Sequence, residues 1–181
     1  MVILIGGTAG VGKTLLARRI MERSGIPFLP VDHLMMGIYR SDPACGFTPE
    51  SDVQRISDAL WPILFGMIKT SIENGLGYTY EGFQILPGKL ASIGSEYRAE
   101  IRSAFPCLGE EYIESRYETI RLRRNAVERR ADLETKEEML QRNREFIAAC
   151  EASGIRPFVI RRDYEAELEV ILEAIVGPAL G

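Results

Sequence analysis

Two sets of residues in this chain are spaced for chemistry: a lysine and a threonine closing a glycine-rich run, and two acids that each follow a short apolar stretch. The run is Gly7-Thr8-Ala9-Gly10-Val11-Gly12-Lys13-Thr14, a G-x-x-x-x-G-K-[ST] pattern. Glycines at 7, 10 and 12 let the backbone curl so that successive N–H groups point inward at phosphate oxygens. A helix opening near Lys13 adds the positive end of its dipole. Lys13 is expected to reach the β- and γ-phosphates, the Thr14 hydroxyl to ligate Mg²⁺, and Gly7 through Leu15 to form the nucleotide site. The competing reading is an accidental glycine turn with an exposed lysine. The flanks argue against it, because a buried strand precedes the run and a helix follows. The guanine-specifying Asn-Lys-x-Asp motif is absent from the sequence, so ATP is expected rather than GTP.

Asp32 follows the apolar stretch Pro27–Val31, and Glu81 follows Tyr78–Tyr80. Open parallel sheets bind ligands at the carboxyl ends of their strands. A carboxylate at Asp32 suits a base that takes the proton of an acceptor hydroxyl; as a favoured capping residue it equally suits a helix beginning at His33. Glu81 suits a Mg²⁺ ligand opposite Thr14, often through water, or else a solvated turn acid. Gly82 is expected to keep the space beside the phosphates open.

Arg116, Arg121, Arg123, Arg124, Arg129 and Arg130 crowd one segment. Guanidinium groups suit the charge that spreads over a transferring γ-phosphate. Glu114, Glu118 and Glu128 lie among them, so an ion-paired, solvated helix face fits the same pattern. Arg121 and Arg124 are the candidates for phosphate contact. Cys45, Cys107, Cys150 and the single His33 have no metal-site spacing, and reduced thiols are expected.

The elements that must position these residues can be read from the periodicity. Val2–Ile5 is a short apolar run stopped by Gly6-Gly7, as in a strand buried on both faces. Leu16, Ala17, Ile20 and Met21 repeat at helical spacing, and Pro27–Val31 reads as a second strand, giving a βαβ opening. Thr48-Pro49-Glu50 is a helix start, and the helix is expected to kink or split at Pro62 and to end at Asn74-Gly75. Strands are expected at Tyr78–Tyr80, Ile101–Phe105 and Pro157–Ile160. Residues 110–134 form a charged helix or helix pair. Thr135-Lys136-Glu137-Glu138 has capping-box spacing for a helix to Ser153, and Asp163 caps a last amphipathic helix.

The chain has 181 residues, 46% of them apolar and 27% charged, which suits one well-cored domain over 1–181. A net charge of −4 gives no electrostatic case for nucleic acid or for an anionic membrane surface. No apolar run is long enough to span a bilayer, and no basic stretch leads an apolar segment at the N-terminus, so a cytoplasmic location is expected.

With these residues placed, the chain resembles the small P-loop kinases of the nucleoside-monophosphate-kinase-like superfamily. Gly77-Tyr78-Thr79-Tyr80-Glu81-Gly82-Phe83 is similar to the strand and Asp-Gly-Phe segment of adenylate kinases, with Glu81 in place of Asp. Val31-Asp32-His33-Leu34 resembles the strand-end aspartate of chloramphenicol phosphotransferase and zeta-toxin-like kinases, where it is the base. Glu81 through Pro87 is similar to a Glu-Gly-x-x-x-x-Pro segment of 2-phosphoglycerate-kinase-like proteins. The resemblance implies an α/β three-layer sandwich with a five-stranded parallel sheet in the order 2-3-1-4-5. It also implies an acceptor side over 33–76 and a helical lid over 110–135. Adenylate kinases continue with Pro-Arg, whose arginine grips the acceptor monophosphate; Gln84 and Ile85 stand there instead, which argues against a monophosphate acceptor.

The expected function is ATP- and Mg²⁺-dependent phosphoryl transfer to a small molecule, with Lys13, Asp32, Arg121 and Arg124 as the catalytic set. A P-loop ATPase or switch that binds a protein through the 48–76 helix is the alternative. A nucleotide-binding module without catalysis is the third reading. Neither the acceptor nor the oligomeric state can be read from the residues.

Overall fold

A computed structural model describes residues 1–128 and 134–178. Arg129 and Arg130, and with them part of the expected lid, lie outside the described residues.

Strand β1, Val2–Ile5, is buried along its whole length and stands in the middle of the sheet. Its side chains alternate between two layers. Val2 and Leu4 join a cluster that includes Met35, Ile56, Leu60, Leu64, Ile68 and Ile85. Ile3 and Ile5 join Leu16, Ile20, Leu168, Ile171 and Ile175 on the other face. Helix α1, Lys13–Ser24, lies on that second face with the C-terminal helix, and the ion pairs Arg19–Glu165 and Arg23–Glu169 run between the two.

Strand β2, Phe28–Pro30, ends earlier than the sequence predicts. Val31 and Asp32 open helix α2, Val31–Ser41, instead of closing the strand. Pro30 explains the change: it has no N–H to continue a ladder, and its φ of −67° leads naturally into a helix. Helix α3, Val53–Glu73, begins at Asp52 rather than at Thr48, with the Asp52 side chain accepting from the N–H groups of Gln54 and Arg55. Thr48–Ser51 forms a turn closed by Ser51 N–H to the Thr48 carbonyl at 3.0 Å. Pro62 does not split α3, which continues unbroken to Asn74.

Strand β3, Tyr78–Glu81, is followed by two short helices that periodicity did not reveal, α4 (Pro87–Ala91) and α5 (Ser95–Arg98). The strand expected over Ile101–Phe105 forms as β4 (Ile101–Ala104), and a further strand that was not expected, β5 (Pro106–Leu108), follows it. Helices α6 (Glu110–Glu128) and α7 (Lys136–Ala152), strand β6 (Phe158–Ile160) and helix α8 (Tyr164–Val176) complete the chain. The capping box at Thr135 and Glu138 and the Asp163 cap form as their spacing predicts.

The strands are parallel and lie in the order β2-β3-β1-β4, with β5 and β6 as a separate parallel pair. The expected single five-stranded sheet is therefore corrected to four strands plus two. Beyond Ala104, whose carbonyl accepts from Gly6 N–H at 3.1 Å, β1 has turned into the glycine loop and has no edge left to pair. The chain passes Phe105, whose carbonyl takes Phe158 N–H at 3.0 Å, and Pro106 brings no donor for β1. β6 pairs on that far side.

Candidate active site

The register of three strands brings the site together. Glu81 pairs with Ile5 on one side and with Pro30 on the other. Ile5 leads into the glycine loop and Pro30 into Asp32, so the loop, Glu81 and Asp32 share the carboxyl edge of the sheet.

In the loop, Gly7, Gly10 and Gly12 have φ of 144°, 79° and 87°, a region that favours glycine. Gly12 is also held by contact: a Cβ there would lie 1.9 Å from the Tyr164 hydroxyl. That hydroxyl donates to the Val11 carbonyl at 3.2 Å and ties the loop to α8. Gly12 is the N-cap of α1 and offers no side-chain cap, and the first turn has no acid. The helix N–H groups therefore face the loop without a competing carboxylate from their own turn.

Lys13 folds back over the loop, its Nζ donating to the Thr8 carbonyl at 3.0 Å. Desolvation by burial lowers its pKa, while the charges of Glu81 and Asp32 oppose that shift and those of Arg142 and Arg124 add to it. Thr14 Oγ1 donates to Glu81 Oε1 at 2.9 Å. Glu81 is 4% exposed, and burial raises its pKa against the lowering effects of Thr14 and Lys13.

Asp32 is exposed in the first turn of α2. It does not cap the helix: the N-cap is Pro30, and no side-chain cap bond forms. Its Oδ1 instead accepts from Gln84 Nε2 at 2.5 Å. The space that a side chain at Gly82 would need is taken by Gln84, since a Cβ there would lie 2.4 Å from Gln84 Oε1.

The two candidate arginines part company. Arg124 lies over the loop, with its Cδ 3.7 Å from where a Cβ on Gly10 would stand, and it pairs with Glu134 at 2.6 Å. Arg121 is paired with Glu118 one turn earlier at 2.8 Å, on the exposed side of α6.

The sequence reading missed Gln84 as a polar contact of Asp32, and it missed two neighbours on α7. Arg142 pairs with Glu134 and donates to the Ala9 carbonyl at 3.5 Å. Asn143 is buried, and its Oδ1 accepts from the Thr8 hydroxyl and from Leu108 N–H, each at 2.9 Å. The capping box announced the helix, but nothing local marks which of its faces meets a loop more than a hundred residues away.

No protein-family model and no curated protein matches the chain. Solved structures do match. An uncharacterised protein from Eubacterium ventriosum aligns over 98% of this chain and 99% of its own, with a TM-score of 0.54 and 16% identity. A shikimate kinase from Bacteroides thetaiotaomicron aligns over 96% and 97%, with a TM-score of 0.55 and 12% identity. The chain has the fold of the small P-loop kinases, as its resemblance implied.

Proposed function

We propose that this protein is an ATP-dependent phosphotransferase that moves the γ-phosphate to a hydroxyl of a small molecule. One observation carries the reading: strand register places the glycine loop, the Thr14–Glu81 pair and Asp32 along one edge. The fold, shared with small P-loop kinases, supports it.

The loop N–H groups and Lys13 bind the triphosphate, and Lys13 exchanges the Thr8 carbonyl for phosphate oxygens. Thr14 and Glu81 suit Mg²⁺: both are hard oxygen donors, they already touch, and Glu81 is a buried carboxylate whose ionised form a cation would favour. Among the described residues no three His, Cys, Asp or Glu side chains cluster, so the remaining ligands would be nucleotide and water oxygens. When bound, Mg²⁺ supplies charge neutralisation at the phosphates. Arg124 and Arg142 add positive charge above the loop, on the side where the transferring group carries its negative charge. The acceptor oxygen forms its bond to the γ-phosphorus, the bond to the bridging oxygen breaks with ADP as leaving group, and Asp32 takes the hydroxyl proton.

The acceptor in this reading is an alcohol rather than a nucleoside monophosphate. Ile85 stands where adenylate kinases have their monophosphate-gripping arginine, and it is wholly buried in the core.

The test is ATP turnover with and without an acceptor panel of nucleosides, nucleoside monophosphates, sugar acids, shikimate, chloramphenicol-like alcohols and aminoglycosides. Turnover is expected only with an acceptor present. Lys13→Ala is expected to cut it by about 10² or more, and Asp32→Asn by about 10²–10⁴. Equal turnover without any acceptor would favour the ATPase reading, and full activity in Asp32→Asn would remove the base.

A further inference from the structure

We propose that Gln84 is the positioning residue for the base: its buried amide holds one oxygen of Asp32 so that the other meets the acceptor hydroxyl. This rests on the reading of Asp32 as the base.

Gln84 is 2% exposed, whereas the Asp32 side chain it contacts is open to solvent. Nε2 donates to Asp32 Oδ1 at 2.5 Å and, among the described residues, has only the Met35 sulfur, 3.5 Å away, as a second acceptor. Turning the amide round would set its carbonyl oxygen against a carboxylate, two acceptors face to face, so the nitrogen is the atom assigned to Asp32. In that orientation Oε1 is buried with no hydrogen-bond partner among the described residues.

That orphaned carbonyl is informative. A leucine would fill a similar volume in this apolar corner, beside Met35 and Val31, and leave nothing unsatisfied. The amide is the costlier choice for packing, and its one strong contact is with Asp32.

The residue that carries the amide is pinned through its backbone, and the fold leaves room for its side chain. The Ser57 hydroxyl of α3 donates to the Gln84 carbonyl at 2.7 Å and pins the backbone. Gly82 leaves the room the side chain occupies, since a Cβ there would meet Gln84 Oε1 at 2.4 Å and Val31 Cβ at 3.0 Å. An exposed aspartate at the start of a helix samples several rotamers, and transfer needs the acceptor oxygen in line with the γ-phosphate. A buried donor on Oδ1, carried by a pinned backbone, selects one rotamer and leaves Oδ2 for the proton.

The experiment compares wild type, Gln84→Leu, Gly82→Ala, Asp32→Asn and the Asp32→Asn/Gln84→Leu double variant. Each is given MgATP with a pool of shikimate, D-gluconate, 2′-deoxyadenosine and chloramphenicol. Gln84→Leu is expected to lower turnover by about 10- to 100-fold with the KM for ATP unchanged. Gly82→Ala is expected to do the same by displacing the amide. Adding Gln84→Leu to Asp32→Asn is expected to cost nothing more, because a residue that acts through the carboxylate then has nothing to position. Equal losses in both backgrounds, or wild-type turnover in Gln84→Leu, overturn the proposal. Crystal structures of wild type and Gln84→Leu give a readout independent of any acceptor. Asp32 is expected in one rotamer on Gln84 in the first and displaced in the second, and an unmoved Asp32 overturns the assignment. Wild-type turnover no greater than that of Lys13→Ala marks failure of the phosphotransfer reading instead, and the crystal comparison then decides the role of Gln84.

Discussion

Thr14 and Glu81 show how single residues combine at this site. Their hydrogen bond of 2.9 Å joins two groups 67 residues apart, and Glu81 ionises at the cost of its burial. A bound divalent cation would offset that cost, so under the proposed function the pair gains from metal. Glu81→Gln keeps the shape and an acceptor for the Thr14 hydroxyl but removes the charge. It is expected to weaken MgATP binding by about tenfold while leaving ATP binding in EDTA unchanged, as titration calorimetry would measure. The sign of its effect on the metal-free protein follows from the raised pKa. Between the ordinary carboxylate value and the raised folded value the native state holds the extra proton, so stability falls as pH rises through that window. Thermal melts of wild type are therefore expected to lose ground to Glu81→Gln as pH rises through that window, and parallel curves would count against the burial argument. The place of Lys13 and Thr14 at the start of a helix and of Glu81 at the end of a strand was readable from type and spacing. Gln84 was visible only as a departure from a familiar pattern, because its contact with Asp32 spans 52 residues.

At the scale of elements, α7 ties Glu134 and the end of β5 to the glycine loop through two adjacent residues. Arg142 reaches Ala9 and Glu134, and Asn143 reaches Thr8 and the last residue of β5, Leu108. Asn143 Nδ2 also donates to the Met139 carbonyl at 2.8 Å, so both ends of the amide are engaged. Asn143→Ala strands the Thr8 hydroxyl and Leu108 N–H in a buried place, and about 3 kcal/mol of stability is expected to be lost in urea titration. The same variant frees Thr8, so MgATP affinity is expected to fall as well; a stability loss with unchanged affinity would show that the link to the loop is structural alone. The helix was predicted by its capping box, and its ends agree with the sequence. Its facing was not predicted, because the thin apolar content of α7 marks no single buried stripe. The strand break at Phe105 was hidden for a related reason: whether an apolar run pairs to one neighbour or changes partner depends on where β1 ends, which Ile101–Leu108 does not encode.

At the scale of the whole molecule, two apolar layers enclose the sheet, and two of the three cysteines sit inside. Burial pushes the thiols of Cys107 and Cys150 up to about 12, while Cys45 is only half-buried, with its Sγ 3.3 Å from the Phe47 carbonyl. Thiolate is the reactive form, so iodoacetamide at pH 8 is expected to label Cys45 alone in the folded protein and all three in denaturant, as mass spectrometry would count. Labelling of Cys107 at the rate of Cys45 would mean that the core opens far more readily than its packing implies. The buried thiols also stay neutral in the fold when unfolded thiols have begun to ionise. Stability is therefore expected to decline as pH rises from about 9 toward about 12, the unfolded state losing its protons first.

What the sequence determined by itself is what contiguous residues can encode: the glycine loop between a buried strand and a helix, the parallel α/β order of its neighbours, the caps at Thr135 and Asp163, and Glu81 at the end of its strand. These depend on local backbone geometry and on periodicities of two and of 3.6, which no distant residue needs to supply. Only the tertiary structure decided which side chains meet. The alignment of Ile5 and Pro30 on Glu81 puts Asp32 beside the loop, the amide of Gln84 beneath Asp32, and α7 over Thr8 and Ala9. Such contacts join residues up to 135 positions apart, and they exist because strand register and core packing fix distances that the chain leaves open until the apolar layers close.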